Sequence, residues 1–261
     1  FDGSTLWQIL FWRSLFFSVV ITIFLIFTYK GKIFSVLYKS GIPGFIGGII
    51  LSIGFASYVF AMYETTVANA NFIIQTQALF LAIFGYLFLK EKISKLTLTC
   101  IVLAVTGIIL MLGSSLTPGQ MTGNLVAFIM PISFAILILI VRKYPKVDMI
   151  PLQLVAGIFA TLIGLFMSPS IIVSTNDIFL GFIAGFFQVG LGFILITIGA
   201  RSTPSAFVGI IMLTEAVLGP LWAWMFANEN PPLVVLFGGA VVITAVVIQF
   251  LSPLLVKKVA K

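Results

Sequence analysis

Glu215 is the side chain best placed to do chemistry. It stands at the midpoint of an apolar run over 204–226, which at 1.5 Å per residue leaves about 16 Å of helix on either side. Holding a carboxyl group at that depth costs roughly 3 kcal/mol on insertion scales, which points to a use: carrying a proton or receiving a substrate ammonium. The bland alternative is a protonated acid hydrogen-bonded to a neighbouring helix. Pro220, in the same run, removes one amide hydrogen and frees the carbonyl of Ala216 beside Glu215. Pro131 does the same for Ala127, marking a second place where a helix could bend. Arg13, beside Trp12, could bind a carboxylate or reach out to the membrane surface. Asn71, Gln75, Gln77, Gln153 and Gln188 offer neutral hydrogen bonds suited to a zwitterion or a sugar, although each alone reads more readily as a bond between helices. Tyr58 and Tyr63 could line a cavity, while Trp222 and Trp224 fit an interfacial aromatic belt.

What is missing narrows the chemistry. With no histidine, seven acids and the single cysteine Cys100, no zinc, haem or nucleophile–base constellation can be assembled, so no enzyme, metal or cofactor is expected. No phosphate-binding loop ending in Gly-Lys-Ser or Gly-Lys-Thr occurs. The net charge of +7 sits in short clusters between apolar runs rather than on a basic face, which argues against a nucleic-acid partner. At 61% hydrophobic and 8% charged residues, too little polar surface exists to cover a water-soluble globule. The partner is a lipid bilayer.

The elements that must hold these residues follow. Nine runs are long enough to cross hydrocarbon as helices: 6–29, 42–62, 66–89, 96–113, 122–141, 150–168, 178–199, 204–226 and 232–252. Pro43, Pro151 and Pro204 open runs, where a missing amide hydrogen costs nothing. The runs lack the alternation of a β-barrel strand, and their short connectors force antiparallel neighbours. Assigning alternate sides to successive connectors puts thirteen of the 14 basic residues on one side and leaves Arg13 on the other. The lysine-rich side, with the C-terminus, is therefore expected to be cytoplasmic, and Glu64, Asp177 and Glu229 to lie opposite. With no targeting segment visible, a bacterial inner membrane is the expected location.

An internal repeat is legible. Shifting the sequence by 138 positions lays Thr65, Ala68, Ile73, Thr76, Ala78, Phe88 and Glu91 on Thr203, Ala206, Ile211, Thr214, Ala216, Phe226 and Glu229. The same shift pairs Gly47 with Gly185, Gly54 with Gly192 and Gln77 with Glu215. Glu91 and Glu229 fall on opposite sides, so the two halves, 1–117 and 118–261, are expected to be inverted about a midplane site. The run over 122–141 has no counterpart, which predicts ten membrane helices in two five-helix repeats, with nine present here and the first absent. Small residues on one face, among them Gly209 and Ala216 answered by Ala78 and Gly85, predict close helix contact, as do Gly44 to Gly48 and Gly181 to Gly185.

The stretch from Ala61 to Ala70 leading to Phe88-Leu89-Lys90-Glu91-Lys92, its echo from Ala200 to Ala206 leading to Ala227-Asn228-Glu229, and Phe11-Trp12-Arg13-Ser14 resemble the drug/metabolite transporter superfamily, EamA type. The resemblance covers essentially the whole chain and implies an all-α polytopic fold of inverted five-helix repeats, with transport of small metabolites, commonly by export. Ala82 stands where members often have proline, so a kink is expected only in the second repeat, at Pro220. The expected function is secondary transport of an amino acid, amine or neutral solute by alternating access, with proton exchange as one drive and a monomer or homodimer as the unit. A non-transporting scaffold subunit, a channel and a lipid flippase are the alternatives. Glu91 and Glu229 read as structural.

Overall fold

Helix α1 (Leu6–Tyr29) begins where Thr5 and Gln8 cap each other. The Thr5 amide donates to Gln8 Oε1 at 2.8 Å, satisfying a hydrogen that no helical carbonyl can reach. It ends at Lys30 and Gly31, both at positive φ (43° and 86°), which turns the chain straight into α2 (Ile33–Glu64). In the computed structural model, which describes residues 3–65, 67–112, 121–227 and 233–259, the remaining helices are α3 (Val67–Gln75), α4 (Gln77–Leu89), α5 (Lys95–Leu112), α6 (Met121–Ala127), α7 (Ile129–Lys143), α8 (Ile150–Met167), α9 (Thr175–Phe182), α10 (Gly192–Ala200), α11 (Ser205–Met212), α12 (Thr214–Ala227) and α13 (Leu233–Val259). A π-helical stretch, Ile183–Leu191, joins α9 to α10. Six continuous or lightly broken helices are long and apolar enough to cross a membrane, and three shorter apolar ones complete the nine runs read from the sequence.

Helix α2 differs from its expected start at 42. It reaches back to Ile33 through a bend at Gly41, whose φ of 60° and ψ of −162° only glycine adopts without strain. Polar Lys39 and Ser40 interrupt the apolar run there and hide the extension.

The repeat appears in the helix boundaries themselves. The starts of α3 and α11 (67, 205), the ends of α4 and α12 (89, 227), the starts of α5 and α13 (95, 233) and the ends of α1 and α8 (29, 167) each differ by 138. Helices α1 and α5 pack antiparallel against their own repeat mates, α8 and α13, while α2 packs chiefly on α7 and α8, and the α9 and π-helical segments that repeat it pack on α1. Gly164 of α8 lets the α1 backbone approach so closely that a Cβ would lie 2.6 Å from the Phe11 nitrogen. At the other end of this pair the Tyr29 hydroxyl meets Asp148, just before α8. Helices α4 and α11 cross through Gly209 against Ala78 and Gly85 against Ser205, the close contact expected of the small-residue faces. Helices α5 and α13 bury Cys100, Ala104 and Ile108 against Val242 and Ala245, with Gln249 Nε2 donating to Thr97 Oγ1 at 3.2 Å. Antiparallel mates are what an inverted repeat requires. The expected boundary at 117/118 and Glu229 lie outside the described residues.

The kink expected in one repeat is present in both. Helix α3 passes to α4 at Thr76 (φ −62°, ψ −10°) and α11 passes to α12 at Leu213 (φ −66°, ψ −15°). Thr76 Oγ1 donates back to the Ile73 carbonyl at 2.5 Å, and Thr214 Oγ1 to the Ile211 carbonyl at 2.7 Å, the same bond one repeat later. The Ile73 carbonyl also accepts the Thr76 amide hydrogen at 3.0 Å, so the hydroxyl bonds reinforce a tightened turn and the break needs no proline. Helix α12 continues through Pro220. The helix carrying Pro131 does break at Phe128, one turn upstream, where the missing amide hydrogen was expected to act.

Candidate functional site

Arg13 lies in the second turn of α1, and its guanidinium stands 5.1 Å from the ring centre of Tyr58 and 5.7 Å from that of Phe55, both on α2. The reading of Arg13 as a residue reaching out to the membrane surface is thus not what the structure shows. Phe55 is held edge-on by Phe17 (5.2 Å) and Phe193 (5.4 Å), so the floor under the guanidinium is a rigid aromatic cluster. Opposite Tyr58, the α1 backbone at Arg13 is crossed by Gly185 of the π-helical stretch, where any Cβ would collide with the Arg13 carbonyl. A wider π turn at this crossing belongs with a site that must accommodate close backbone approach. Among the described residues Arg13 has no acidic partner within ion-pair distance. Its charge is shielded by π-faces and left free to bind an anion.

Glu215 is in the first turn of α12, immediately after the break at Leu213. It is exposed and makes no ion pair among the described residues. Tyr58 is within electrostatic reach of both Arg13 and Glu215. Gln75 and Gln77 flank the matching break in the first repeat. Both are buried, and Gln75 Oε1 and Gln77 Nε2 have no hydrogen-bond partner among the described residues. Ser14, next to Arg13, likewise buries an unpartnered hydroxyl. Asn71 is half-buried on α3. Trp12 is turned elsewhere, its Nε1 donating to the Ile171 carbonyl at 3.1 Å, and Gln188 is exposed on the π-helical stretch. Gln153 bonds between helices, donating to the Phe193 carbonyl at 2.7 Å and to Thr197. The side chains of Pro220, Trp222 and Trp224 lie outside the described set.

A second polar cluster closes the lysine-rich end. Glu91 Oε1 accepts from Arg142 Nε at 2.8 Å and from Arg142 Nη2 at 2.6 Å, while its Oε2 accepts the Ser205 amide hydrogen at 2.8 Å. The remaining Arg142 nitrogen, Nη1, donates to the Arg201 carbonyl at 3.2 Å. Arg201 pairs in turn with Asp148, which also accepts from Tyr29. Six elements of the two repeats are tied together in this way. Shifting Arg142 and Arg201 back by 138 gives Ser4 and Tyr63, and at the opposite end the Tyr63 hydroxyl does bond the Ser4 carbonyl. Each contact joins a side chain to a backbone carbonyl, a guanidinium at one end and a phenol at the other, where Ser4 Oγ also donates to the Asp177 carboxylate at 2.6 Å.

The family model for EamA-like transporters matches the chain twice, over residues 3–113 and 119–251. The chain belongs to the EamA-like transporter family. It is accordingly an integral membrane protein and a transporter of the drug/metabolite superfamily, and the two matches fall on the two helical repeats. No curated protein matches the sequence. One of 28 solved chains that match, a crystal structure of a protein, superposes with a TM-score of 0.82 at 16% identity, spanning 96% of this chain and 89% of that one, a likeness of fold alone.

Sequence reasoning missed the partners in this EamA-like transporter's ionic cluster. Glu91, read as structural, has a side chain only 15% exposed and bridges two repeats through partners the sequence did not name. Asp148 and Tyr29 drew no attention, since nothing local distinguishes them. The one available signal was charge balance: Asp148 and Glu91 are the acids among the basic connectors of that end.

Proposed function

We propose that this protein exports a small zwitterionic or amine metabolite, an amino acid being the simplest case, from a bacterial inner membrane whose cytoplasmic face meets the lysine-rich end and the C-terminus. The observation carrying this reading is the pair Arg13 and Glu215, opposite in charge, both without ionic partners among the described residues and both in electrostatic reach of Tyr58. The planar guanidinium fork receives a carboxylate in two parallel hydrogen bonds, and Glu215 receives the ammonium group. Tyr58 and Phe55 keep water from the guanidinium and strengthen that pairing. Gln75 and Gln77 add hydrogen-bond capacity beside the helix break.

Glu215 also gives the carrier a drive. A carboxylate cannot hold a proton and an ammonium group at once, so proton entry at Glu215 displaces the solute and couples inward proton flow to export. Access alternates as the Glu91–Arg142–Ser205 cluster opens and closes the lysine-rich end.

Counterflow of labelled amino acids into proteoliposomes tests this. Wild-type protein exchanges the solute, Arg13→Gln loses exchange of carboxylate-bearing solutes, and Glu215→Gln loses exchange of amine-bearing ones together with any dependence on a proton gradient. Full activity in Glu215→Gln would reject its role, and purified protein that moves no solute but copurifies with another chain would point to a scaffold.

A further inference from the structure

The eight residues ahead of the Gly41 bend are not needed to cross a bilayer. Residues 42–64 of α2 number 23 and span about 34 Å, already more than a hydrocarbon core of about 30 Å. Beyond the bend, residues 33–40 continue as helix with two unlike faces. Ile33, Val36, Leu37 and Ser40 lean on the protein, half-buried or buried. Phe34 and Tyr38, one turn apart, point away from it and are 85% and 88% exposed. Lys30, Lys32 and Lys39 surround this aromatic face, all exposed and none in an ion pair among the described residues.

The charges at this end leave those lysines without acidic partners on the protein. Glu91 and Asp148 are committed to Arg142 and Arg201. Aromatic rings ringed by ammonium groups at the end of a membrane crossing suit the boundary between acyl chains and headgroups, where rings meet both phases and cations meet phosphate.

We propose that Ile33–Ser40 is an interfacial foot that lies along the leaflet at the lysine-rich end, seats Phe34 and Tyr38 at the acyl boundary and binds acidic phospholipid headgroups through Lys30, Lys32 and Lys39. This inference is independent of what the protein transports.

The test places a fluorophore at Tyr38→Cys in a Cys100→Ala background and reconstitutes the full chain in vesicles. Spin-labelled phosphatidylglycerol is expected to quench it more than spin-labelled phosphatidylcholine by roughly fivefold, a preference lost when Lys30, Lys32 and Lys39 are all changed to Gln. A fluorophore at Phe166→Cys, exposed away from this foot, should show no preference. Equal quenching by both lipids, or the same preference at position 166, overturns the proposal. So does quenching by neutral aqueous acrylamide without quenching by lipid, which puts the face in water. Protection from every quencher that grows with protein density also overturns it and assigns the face to a second copy of the chain.

Discussion

The proposed chemistry turns on Arg13, whose guanidinium lies against two aromatic rings and has no acidic partner among the described residues. A guanidinium stacked on Tyr58 and Phe55 keeps its five donors in a fixed plane, whereas an ammonium on a flexible stem would not. Arg13→Lys preserves charge and removes the plane and the stacking, so transport efficiency should fall about tenfold, mainly through a higher KM, in line with about 1–2 kcal/mol for a desolvated cation–π pair. An unchanged KM in labelled-solute uptake would show that the guanidinium does not touch the solute. The candidates read from sequence separate here by their neighbours. Glu215 and Arg13 stood out as isolated charges in apolar runs, while Trp12 and Gln153 looked equivalent until their hydrogen bonds to the Ile171 and Phe193 carbonyls turned them into struts.

Helices in lipid gain little from burying apolar surface against one another, and their association rests on close fit. Gly164 shows how close: the α1 backbone occupies the space a side chain would take. Gly164→Val should therefore cost about 1–3 kcal/mol by overpacking, visible as a lower melting temperature in detergent, while Leu165→Ala on the exposed side should change it little. The nine crossings and the 138-residue shift were legible because both leave regular marks, long apolar runs and recurring small or polar residues. The break at Thr76 was not legible, because a threonine bonding its own helix carries no pattern that distinguishes it from any other threonine. The start of α2 was lost for a related reason: Gly41 lets a helix continue across a bend that reads as a boundary.

The two described salt bridges lie at the lysine-rich end, where Glu91 joins both repeats. Pairing across it spans 51 residues for Glu91 with Arg142 and 119 for Tyr29 with Asp148, so no local pattern could announce it. Arg142→Gln removes two charge-assisted hydrogen bonds to Glu91 Oε1, worth about 1.5–3 kcal/mol. The expected result is that a cysteine at Ser205, a residue buried in the intact cluster, passes from unreactive to reactive toward a membrane-impermeant maleimide. Equal reactivity with and without Arg142 would mean that other contacts keep this end shut.

The matched pairs Arg142–Arg201 and Ser4–Tyr63 carry a consequence for motion. A chain that folds each half as the upside-down copy of the other has two shapes that are near images of one another, turned end over end. Any tilt that parts one pair has a ready counterpart that parts its twin, as in a seesaw whose arms differ only in the weights they bear. Here one arm is a guanidinium and the other a phenol, so the two tilts break chemically different bonds.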